Sequence, residues 1–361
     1  MSTVGATLAT GPVLHEAWLQ LTDQHRERVR LWQTDDATLG RLIQFGHRVG
    51  VLRPLTELGA RFTLQQSATS SLATLHSEDN GYELVPHAPG TLALNVSRRV
   101  FPSQASAHLH DARSGVQLSV ALDRSHGVAA LTNGSLDVLL HRRARPFRMG
   151  EGTVVLDDTD RLFTRTWLAV GPQQEANRLR IAGKLRLHHP AALAFAAVAS
   201  NASSLLRSRR DVTRRADSSS SRRATEAALA GRALAAELPP PVHLQSVRAA
   251  VPNGSTVLVR LRHMYGAHED ASYSAPVQVD LAQFLAAALP SSAVVAGAPR
   301  PMALDGFRPS EEARRMRRRL PTQASTTASE EAGLATAADS PSTTMVTLRP
   351  MELKTFQVDL R

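Results

Sequence analysis

Cysteine is absent from the 361 residues of this chain. Without a thiol, the protein can form neither a disulfide framework nor a thiolate metal site, and it cannot use a cysteine nucleophile. Aromatic residues are also scarce, at 4% of the sequence against 42% for hydrophobic residues as a class. The chain is still long enough for two domains with a well-buried core.

Long apolar runs are missing as well. No stretch approaches the roughly 20 apolar residues that a membrane-spanning helix requires, so the sequence predicts no membrane partner. Residues 1–18 contain neither a basic segment nor a long apolar segment, and we expect no secretory signal within the chain as given. The sequence also lacks a GxSxG elbow, a glycine-rich phosphate loop and an HExxH motif. Composition and spacing alone therefore identify no active site.

Positive charge is abundant but unevenly distributed. The formal net charge is +10. Segment Arg207–Arg223 has seven arginines and two aspartates, and segment Arg308–Arg319 has six arginines and two glutamates. These two segments carry almost all of the excess, which argues against nucleic acid as a partner of the folded part. A polyanion-binding role through the arginine clusters stays open as an alternative.

Turn signals between short apolar runs predict an all-β protein. Asp79–Gly81, Asn133–Gly134 and Asn253–Gly254 each stand where a tight hairpin turn is expected, because Asn and Gly tolerate positive φ. Gln117–Leu122 alternates polar and apolar residues as a half-buried strand does. We expect antiparallel β-sandwich domains over residues 11–200 and 242–361.

Two segments of low complexity interrupt this pattern. Residues 201–241 are rich in Ser, Arg and Ala, and they are predicted to be a disordered linker or insertion. A second insertion of this kind is predicted at about 300–344. Such compositions bury too little apolar surface to offset the entropy of ordering the chain.

Several groups of polar residues are candidate sites. His108 and His110 flank Leu109 on a predicted strand, where residues two apart share a face and could meet one metal ion, with Asp111 following. Asp157, Asp158 and Asp160 resemble either glycosidase carboxylates or a solvated turn. His188 and His189 are predicted to end a strand. N-glycosylation acceptor patterns begin at Asn95, Asn133, Asn201 and Asn253.

The stretch DRSHGVAALTNGSLDVLLHRR, from Asp123 to Arg143, resembles a segment in the C-terminal region of glycoside hydrolase family 38, the α-mannosidases, and particularly their lysosomal type. Five further blocks resemble the same family in the same order: Gly11–Trp32, Ser77–Leu84, Phe101–Asp111, Val257–Phe284 and Val346–Phe356. The resemblance thus extends over nearly the whole chain.

This resemblance implies a fold and a function. The family's enzymes are zinc-dependent retaining glycosidases that remove α-linked mannose from N-glycans, and they are lysosomal or in the secretory pathway. Their C-terminal region is a mutarotase-like super-sandwich followed by a smaller β-sandwich, packed against an upstream catalytic domain. One arginine of this region reaches the glycan site, and the match places it at Arg142 or Arg143.

The sequence departs from the family at two points. The zinc-binding motif and the nucleophilic aspartate of the catalytic domain have no counterpart here, so the chain alone has no catalytic residue, no metal ligand and no cofactor of its own. Residues 144–152 replace the acidic element that follows the arginine pair in the family. Two hypotheses result: a C-terminal β region of an α-mannosidase, as a fragment or a separate polypeptide, or a non-catalytic β-sandwich module that binds glycans or polyanions.

Overall fold

A computed structural model gives the fold of the chain. It describes residues 5–64, 73–81, 83–87, 99–132, 134–144, 147–149, 152–154, 157–190, 238–250, 255–288, 294–311 and 344–361. The chain forms two compact units, residues 1–193 and 194–361. Within these described ranges no helix has the length and apolar character needed to cross a bilayer.

A nine-stranded antiparallel sheet organises the first unit. In spatial order its strands are β1 (Gly5–Thr10), β2 (Leu14–Thr22), β3 (His25–Trp32), β4 (Ile43–Val49), β15 (Leu162–Pro172), β10 (Val116–Leu122), β9 (Ser106–Asp111), β6 (Thr74–Asp79) and β7 (Glu83–His87). A short 3-10 helix, Leu39–Arg41, precedes β4.

A second sheet of four antiparallel strands covers one face of the large sheet. Its order is β5 (Thr56–Thr63), β12 (Ser135–Arg143), β11 (His126–Ala129) and β8 (Val100–Ser103). Leu118 and Val120 of β10 share one buried core with Val128 of β11 and Leu136 of β12. A separate two-stranded ribbon pairs β13 (Phe147–Met149) with β14 (Gly152–Val154). The two larger sheets therefore form a sandwich.

Helix α1, Gln173–His188, packs on the opposite face of the large sheet. Its Leu179 and Leu187 share a small buried core with Ala121 of β10 and Trp167 of β15. Gly183 lies against the sheet so closely that an added Cβ would stand 3.3 Å from the Cβ of Ala121. The central strands are thus covered on both faces.

The prediction that His188 and His189 end a strand was wrong. His188 is the last residue of helix α1, and His189 is its C-cap. The alternating Arg and Leu residues from Arg178 suggested a period of two, but the buried positions Ala176, Arg180, Gly183 and Leu187 follow the helical spacing of three and four.

The half-buried character predicted for Gln117–Leu122 was also wrong, because every residue of this stretch is buried. Leu118 and Val120 face the second sheet, while Gln117 faces helix α1 and donates a hydrogen bond to Asn177 (2.7 Å) and another to Ser119 (2.7 Å). The amide N–H groups of Gln117 are therefore satisfied by the protein rather than by water.

A buried ionic network joins helix α1 to β6 and β9. Lys184 Nζ donates to Glu78, and Ser106 Oγ donates to the other oxygen of the same carboxylate at 3.0 Å. Arg180 Nη1 donates to Ser106 Oγ at 2.7 Å. Burial alone would raise the pKa of Glu78, but the charges of Lys184 and Arg180 lower it. One carboxylate therefore neutralises part of the charge of two buried cations.

The second unit is also built of antiparallel strands. One sheet orders β16 (Val242–Ala249), β17 (Thr256–His263), β21 (Leu353–Leu360) and β19 (Val295–Met302), and a two-stranded sheet pairs β18 (Val277–Asp280) with β20 (Met345–Leu348). Helix α2, Leu281–Ala288, follows β18. Val259 and Val358 from the sheet and Leu285 from the helix share one buried core.

The all-β prediction is confirmed, since the described elements are antiparallel strands with two α-helices and one short 3-10 helix. The hairpin at Asp79–Gly81 is present as the β6–β7 pair, with positive φ at Asn80 and Gly81. Strands β16 and β17 pair across residues 251–254, which lie outside the described residues. Most of the predicted linker at 201–241 and most of the predicted insertion at 300–344 also lie outside them.

The ionic network predicts how much stability is lost when each of its members is replaced. Glu78→Gln removes the negative charge on which the charges of Lys184 and Arg180 act, so we expect it to destabilise the first unit by about 3 kcal/mol or more. Lys184→Met should cost less, about 1–2 kcal/mol, because Arg180 still compensates the carboxylate. Urea unfolding followed by tryptophan fluorescence measures both, since Trp18, Trp32 and Trp167 all belong to this unit.

Arg186→Met is the matched control on the same helix. Arg186 pairs with Asp36 at 2.6 Å, but both side chains are about a third exposed or more. Such a pair contributes less than about 1 kcal/mol. An equal or smaller cost for Glu78→Gln than for Lys184→Met would contradict the assignment of Glu78 as the counter-charge of the network.

Candidate functional site

The stretch Asp123–Arg143 runs from the end of β10 through β11 and β12. As predicted, β11 and β12 pair across Asn133–Gly134, and Gly134 has a φ of 70°, which favours glycine. Asp137 fixes this turn, because its carboxylate accepts hydrogen bonds from the backbone N–H of Leu131 (3.1 Å) and from Arg61 Nε on the neighbouring strand (2.6 Å). The central part of the stretch therefore builds the hairpin itself.

Asp123 connects the two sheets at the start of the stretch. Its carboxylate accepts a hydrogen bond from the Thr164 hydroxyl (2.6 Å) and lies 3.5 Å from Arg124 Nε. His126 Nε2 lies 3.1 Å from the same hydroxyl oxygen. Burial alone would raise the pKa of Asp123, but hydrogen bonds with His126 and Thr164 and the charge of Arg124 lower it to about 2.

The arginine pair at the end of β12 divides into two environments. Arg143 donates from Nε to Asp157 Oδ1 (2.5 Å) and from Nη1 to the carbonyl of Leu52 (2.9 Å), and its side chain is 18% exposed. Arg142 has a side chain that is 60% exposed, and its Nε lies 4.0 Å from Glu57 Oε1. Arg143 is thus committed to the fold, and Arg142 extends to the surface.

The acidic loop is anchored to β12. Asp157 accepts the hydrogen bond from Arg143, and Asp158 accepts one from the backbone N–H of Asp160 (2.8 Å). Asp157, Asp158 and Asp160 are all exposed. The arrangement is that of a solvated turn, and it brings Asp157 to Arg143, a contact that no local pattern in the sequence predicts.

His108 and His110 lie on β9, with His108 buried and His110 half-buried. His108 stacks on His76 of β6, with 4.4 Å between ring centroids, and burial lowers its pKa well below the usual value. Asp111 instead accepts hydrogen bonds from the Arg113 N–H (3.1 Å) and the Ser114 hydroxyl (2.8 Å) in the next turn. In the parts of the chain that the structure describes, no third ligand joins the two histidines.

In the second unit, the block Val257–Phe284 closes a loop after β17. His263 Nε2 lies 3.1 Å from the carbonyl oxygen of Ala275. Glu269 accepts the backbone N–H of Gly266 (2.7 Å), and Asp270 accepts two backbone N–H groups, at 2.8 and 2.9 Å. These acidic side chains therefore stabilise the loop by accepting hydrogen bonds from its backbone.

One polar cluster is absent from the candidates that the sequence suggests. His25 and Glu27 of β3 and His47 of β4 place one potential ligand atom each within 4.8 Å of one another. Burial, followed by the neighbouring His47, lowers the pKa of His25. The His-x-Glu spacing is a usable signal, since it is the same two-residue strand spacing that singles out His108 and His110. The third member depends on strand pairing, which the sequence does not reveal.

Several predicted sites fall outside the described residues. They include the candidate glycosylation acceptors Asn95, Asn133, Asn201 and Asn253. The same is true of segment Arg207–Arg223 and of most of segment Arg308–Arg319.

The depressed pKa of Asp123 predicts a pH-dependent contribution to stability. The folded value of about 2 lies below the ordinary value of 3.8, so the carboxylate stabilises the fold at neutral pH and this contribution is lost as pH falls from about 4 to about 2. We expect Asp123→Asn to lower the free energy of unfolding by about 2 kcal/mol at pH 7, with the difference from wild type narrowing at pH 3.

Urea unfolding at pH 7, 5 and 3, followed by tryptophan fluorescence, measures this difference. Asp160→Asn serves as the control, because this carboxylate is exposed in the same unit and surface substitutions usually change stability by less than about 0.5 kcal/mol. A difference between wild type and Asp123→Asn that stays constant from pH 7 to pH 3 would show that the charge of Asp123 is not the stabilising feature.

Comparisons with known proteins identify relatives for the sequence. No protein-family model matches the chain. The chain is 26% identical over 258 residues to the epididymis-specific alpha-mannosidase of Homo sapiens, and 27% identical over 272 residues to that of Sus scrofa. The matches cover 64% and 67% of this chain but only 23% and 24% of those proteins. The chain therefore spans about a quarter of the length of the curated relatives that it matches.

Solved structures share the fold. An alpha-mannosidase from Enterococcus faecalis V583 aligns with 98% of this chain and 35% of its own chain, with a TM-score of 0.55 and 10% sequence identity. A second Enterococcus faecalis structure, described as a protein in glycosyl hydrolase family 38, aligns with 98% of this chain and 36% of its own, with a TM-score of 0.55 and 11% identity. The chain is thus similar in sequence to part of two mammalian alpha-mannosidases, and it shares its all-β fold with two solved structures, one described as an alpha-mannosidase and one as a family 38 protein.

Proposed function

We propose that this chain is the C-terminal β region of an α-mannosidase-like glycosidase that hydrolyses α-linked mannose of N-glycans. Two observations support the proposal: the identity to two mammalian alpha-mannosidases, and the coverage of only about a quarter of their length. In this proposal the β region supports a catalytic domain, in the same or a separate chain, within the lysosome or the secretory pathway.

The proposed chemistry resides in that catalytic domain. A retaining glycosidase needs a nucleophilic carboxylate and an acid/base carboxylate about 5 Å apart. Among the candidate acids Asp157, Asp158 and Asp160, Asp157 is paired with Arg143 and Asp158 accepts a hydrogen bond from the backbone N–H of Asp160. The family's zinc motif likewise has no counterpart among the residues of this chain, so we assign no catalytic step and no zinc of the active site to it.

Within the β region, we assign the glycan contact to Arg142. A guanidinium that binds a sugar hydroxyl or a carboxylate must present free N–H groups to it. The carboxylate nearest to Arg142 lies 4.0 Å from its Nε, beyond hydrogen-bond distance, and the side chain is 60% exposed. Arg143 already uses two N–H groups within the fold, so it acts as a positioning residue that fixes the end of β12.

A second candidate function is a non-catalytic module that binds polyanions or glycans. It is favoured by a basic and aromatic surface on β2–β4, where Arg28 and Arg48 lie over the ring of Trp18 with distances of 5.2 and 5.8 Å from Cζ to the ring centroid. Arg26 and Arg30 lie on the same face of β3. Salt-sensitive heparin binding that Arg28→Gln and Arg48→Gln abolish would support this module.

The proposal that catalysis resides in a further domain leads to a direct prediction. Purified alone, the chain should release no 4-nitrophenol from 4-nitrophenyl α-mannoside, with or without added zinc. The control is a mock preparation carried through the same purification. Turnover that follows the chain through every purification step would overturn the proposal that catalysis requires a further domain.

The assignment of Arg142 is tested by kinetics in a protein that carries this chain together with a family 38 catalytic portion. Arg142→Ala should lower kcat/KM by about tenfold or more, equivalent to about 1.4 kcal/mol, while the melting temperature stays unchanged. Arg143→Ala should lower stability as well, because it removes the bonds to Asp157 and Leu52.

Arg113→Ala is the control for this pair. Arg113 is an exposed arginine in the turn between β9 and β10 of the same unit, and its loss should change neither activity nor stability. Wild-type kinetics in Arg142→Ala would remove this residue from the glycan site.

A further inference from the structure

Strand pairing brings His25, Glu27 and His47 to one place. His25 and Glu27 are two residues apart on β3, so their side chains lie on the same face. Glu27 is the direct partner of His47 in the antiparallel pairing of β3 with β4. The ring centroids of the two histidines are 5.7 Å apart. Two imidazoles and one carboxylate therefore converge from two adjacent strands.

The two imidazoles are buried with ring nitrogens that no hydrogen bond satisfies. The exposed fraction is 5% for His25 and 0% for His47. His25 Nε2, His47 Nδ1 and His47 Nε2 have no hydrogen-bond partner. A buried polar atom without a partner costs about 1–3 kcal/mol, and an ion that takes one such nitrogen from each imidazole would satisfy two of these three atoms.

The distance between His47 and Glu27 fits two ligands that share a cation. His47 Nδ1 lies 3.2 Å from Glu27 Oε2, yet the two atoms are not aligned as a hydrogen bond. With bonds of about 2.0–2.1 Å, two ligand atoms of a tetrahedral zinc ion are about 3.3 Å apart. All three ligand atoms lie within 4.8 Å, so the histidines and the glutamate need to approach by at most about 1.5 Å to reach that spacing.

We propose that His25, Glu27 and His47 bind one Zn²⁺ ion, with a water molecule in the fourth position. Two imidazole nitrogens and one carboxylate oxygen form a donor set that suits zinc. The neutral imidazole, with one ring nitrogen free to bind, is the form that binds metal. Glu27 is 15% exposed and supplies the side from which the ion and its water enter.

The surroundings suit a structural ion that joins β3 to β4. Phe45 stacks beside His47, with 6.2 Å between ring centroids, and Val49 follows two residues later in the buried core of the sandwich. Apolar neighbours on the inner side of the cluster lower the local dielectric and strengthen the attraction between ligand and ion. The ion would link two adjacent strands of the large sheet. This inference concerns the chain by itself and does not depend on the proposed α-mannosidase function.

A simple ion pair is the competing explanation. A protonated His47 beside Glu27 would account for the 3.2 Å distance. It would leave His25 Nε2 without a partner in a buried position. Titration of the full chain with Zn²⁺ separates the two explanations, because only the metal site requires all three side chains.

Isothermal titration calorimetry of the chelator-treated chain should detect one Zn²⁺ per chain, and Zn²⁺ should raise the melting temperature. Co²⁺ in place of Zn²⁺ should give the intense visible absorption of tetrahedral coordination. Glu27→Gln should weaken zinc affinity about a hundredfold or more and remove the Co²⁺ spectrum, and His25→Gln should do the same.

His76→Gln is the matched control, since His76 belongs to the stacked pair with His108, which lacks a third ligand among the described residues. This variant should bind Zn²⁺ as the wild type does. Glu27 is partly exposed, so its isosteric replacement tests the site even if a histidine variant fails to fold. Absence of zinc binding by the wild type, or equal affinity in wild type and Glu27→Gln, would overturn the proposal.

Discussion

The central strands of the large sheet are buried on both faces, and this constraint determines the chemistry of the first unit. One face packs on the second sheet through apolar side chains, and the other packs on helix α1. Strands that alternate polar and apolar residues therefore bury their polar face too, where no water is present to satisfy it. The ionic network of Glu78 with Lys184 and Arg180 places polar partners on that face and ties helix α1 to the sheet.

The stretch that carries the family resemblance is largely used by the fold itself. Asp123 holds the end of β10 through Thr164, Asp137 closes the hairpin, and Arg143 fixes the end of β12. Each of these side chains is accounted for by a contact within the first unit. Arg142 differs because its side chain extends from the surface and, within the described part of the unit, only approaches Glu57, at 4.0 Å. We therefore assign the proposed glycan contact to Arg142 rather than to Arg143.

The sequence predicted the local features of the fold well and its long-range features poorly. Hairpins were found because Asn80 and Gly134 belong to turns whose backbone angles restrict the residue types allowed. Helix α1 was missed because its charged residues Arg180 and Lys184 are buried, so the helix lacks the apolar stripe by which a surface helix is recognised. The buried Lys184 of this helix is paired with Glu78, which lies 106 residues earlier in the sequence.

The candidate site also shows this difference between local patterns, which the sequence reveals, and long-range contacts, which it does not. Resemblance indicated the arginine pair, but only the contacts of Arg143 with Asp157 and Leu52 separate its role from that of Arg142. The histidine and glutamate cluster required the register of β3 with β4, which no local pattern specifies. His25 and Glu27 were visible as a spacing, whereas His47 became their neighbour only in the folded sheet.

The register of β3 explains how one strand presents arginines on one face and potential metal ligands on the other. Arg26 and Arg28 point to one face, and His25 and Glu27 point to the other. A slip of one residue would move the arginines into the core of the sandwich, where unpaired guanidinium groups are strongly unfavourable. The arginines thus help to hold the register that places Glu27 opposite His47, and the basic surface and the proposed zinc site become two consequences of one strand alignment.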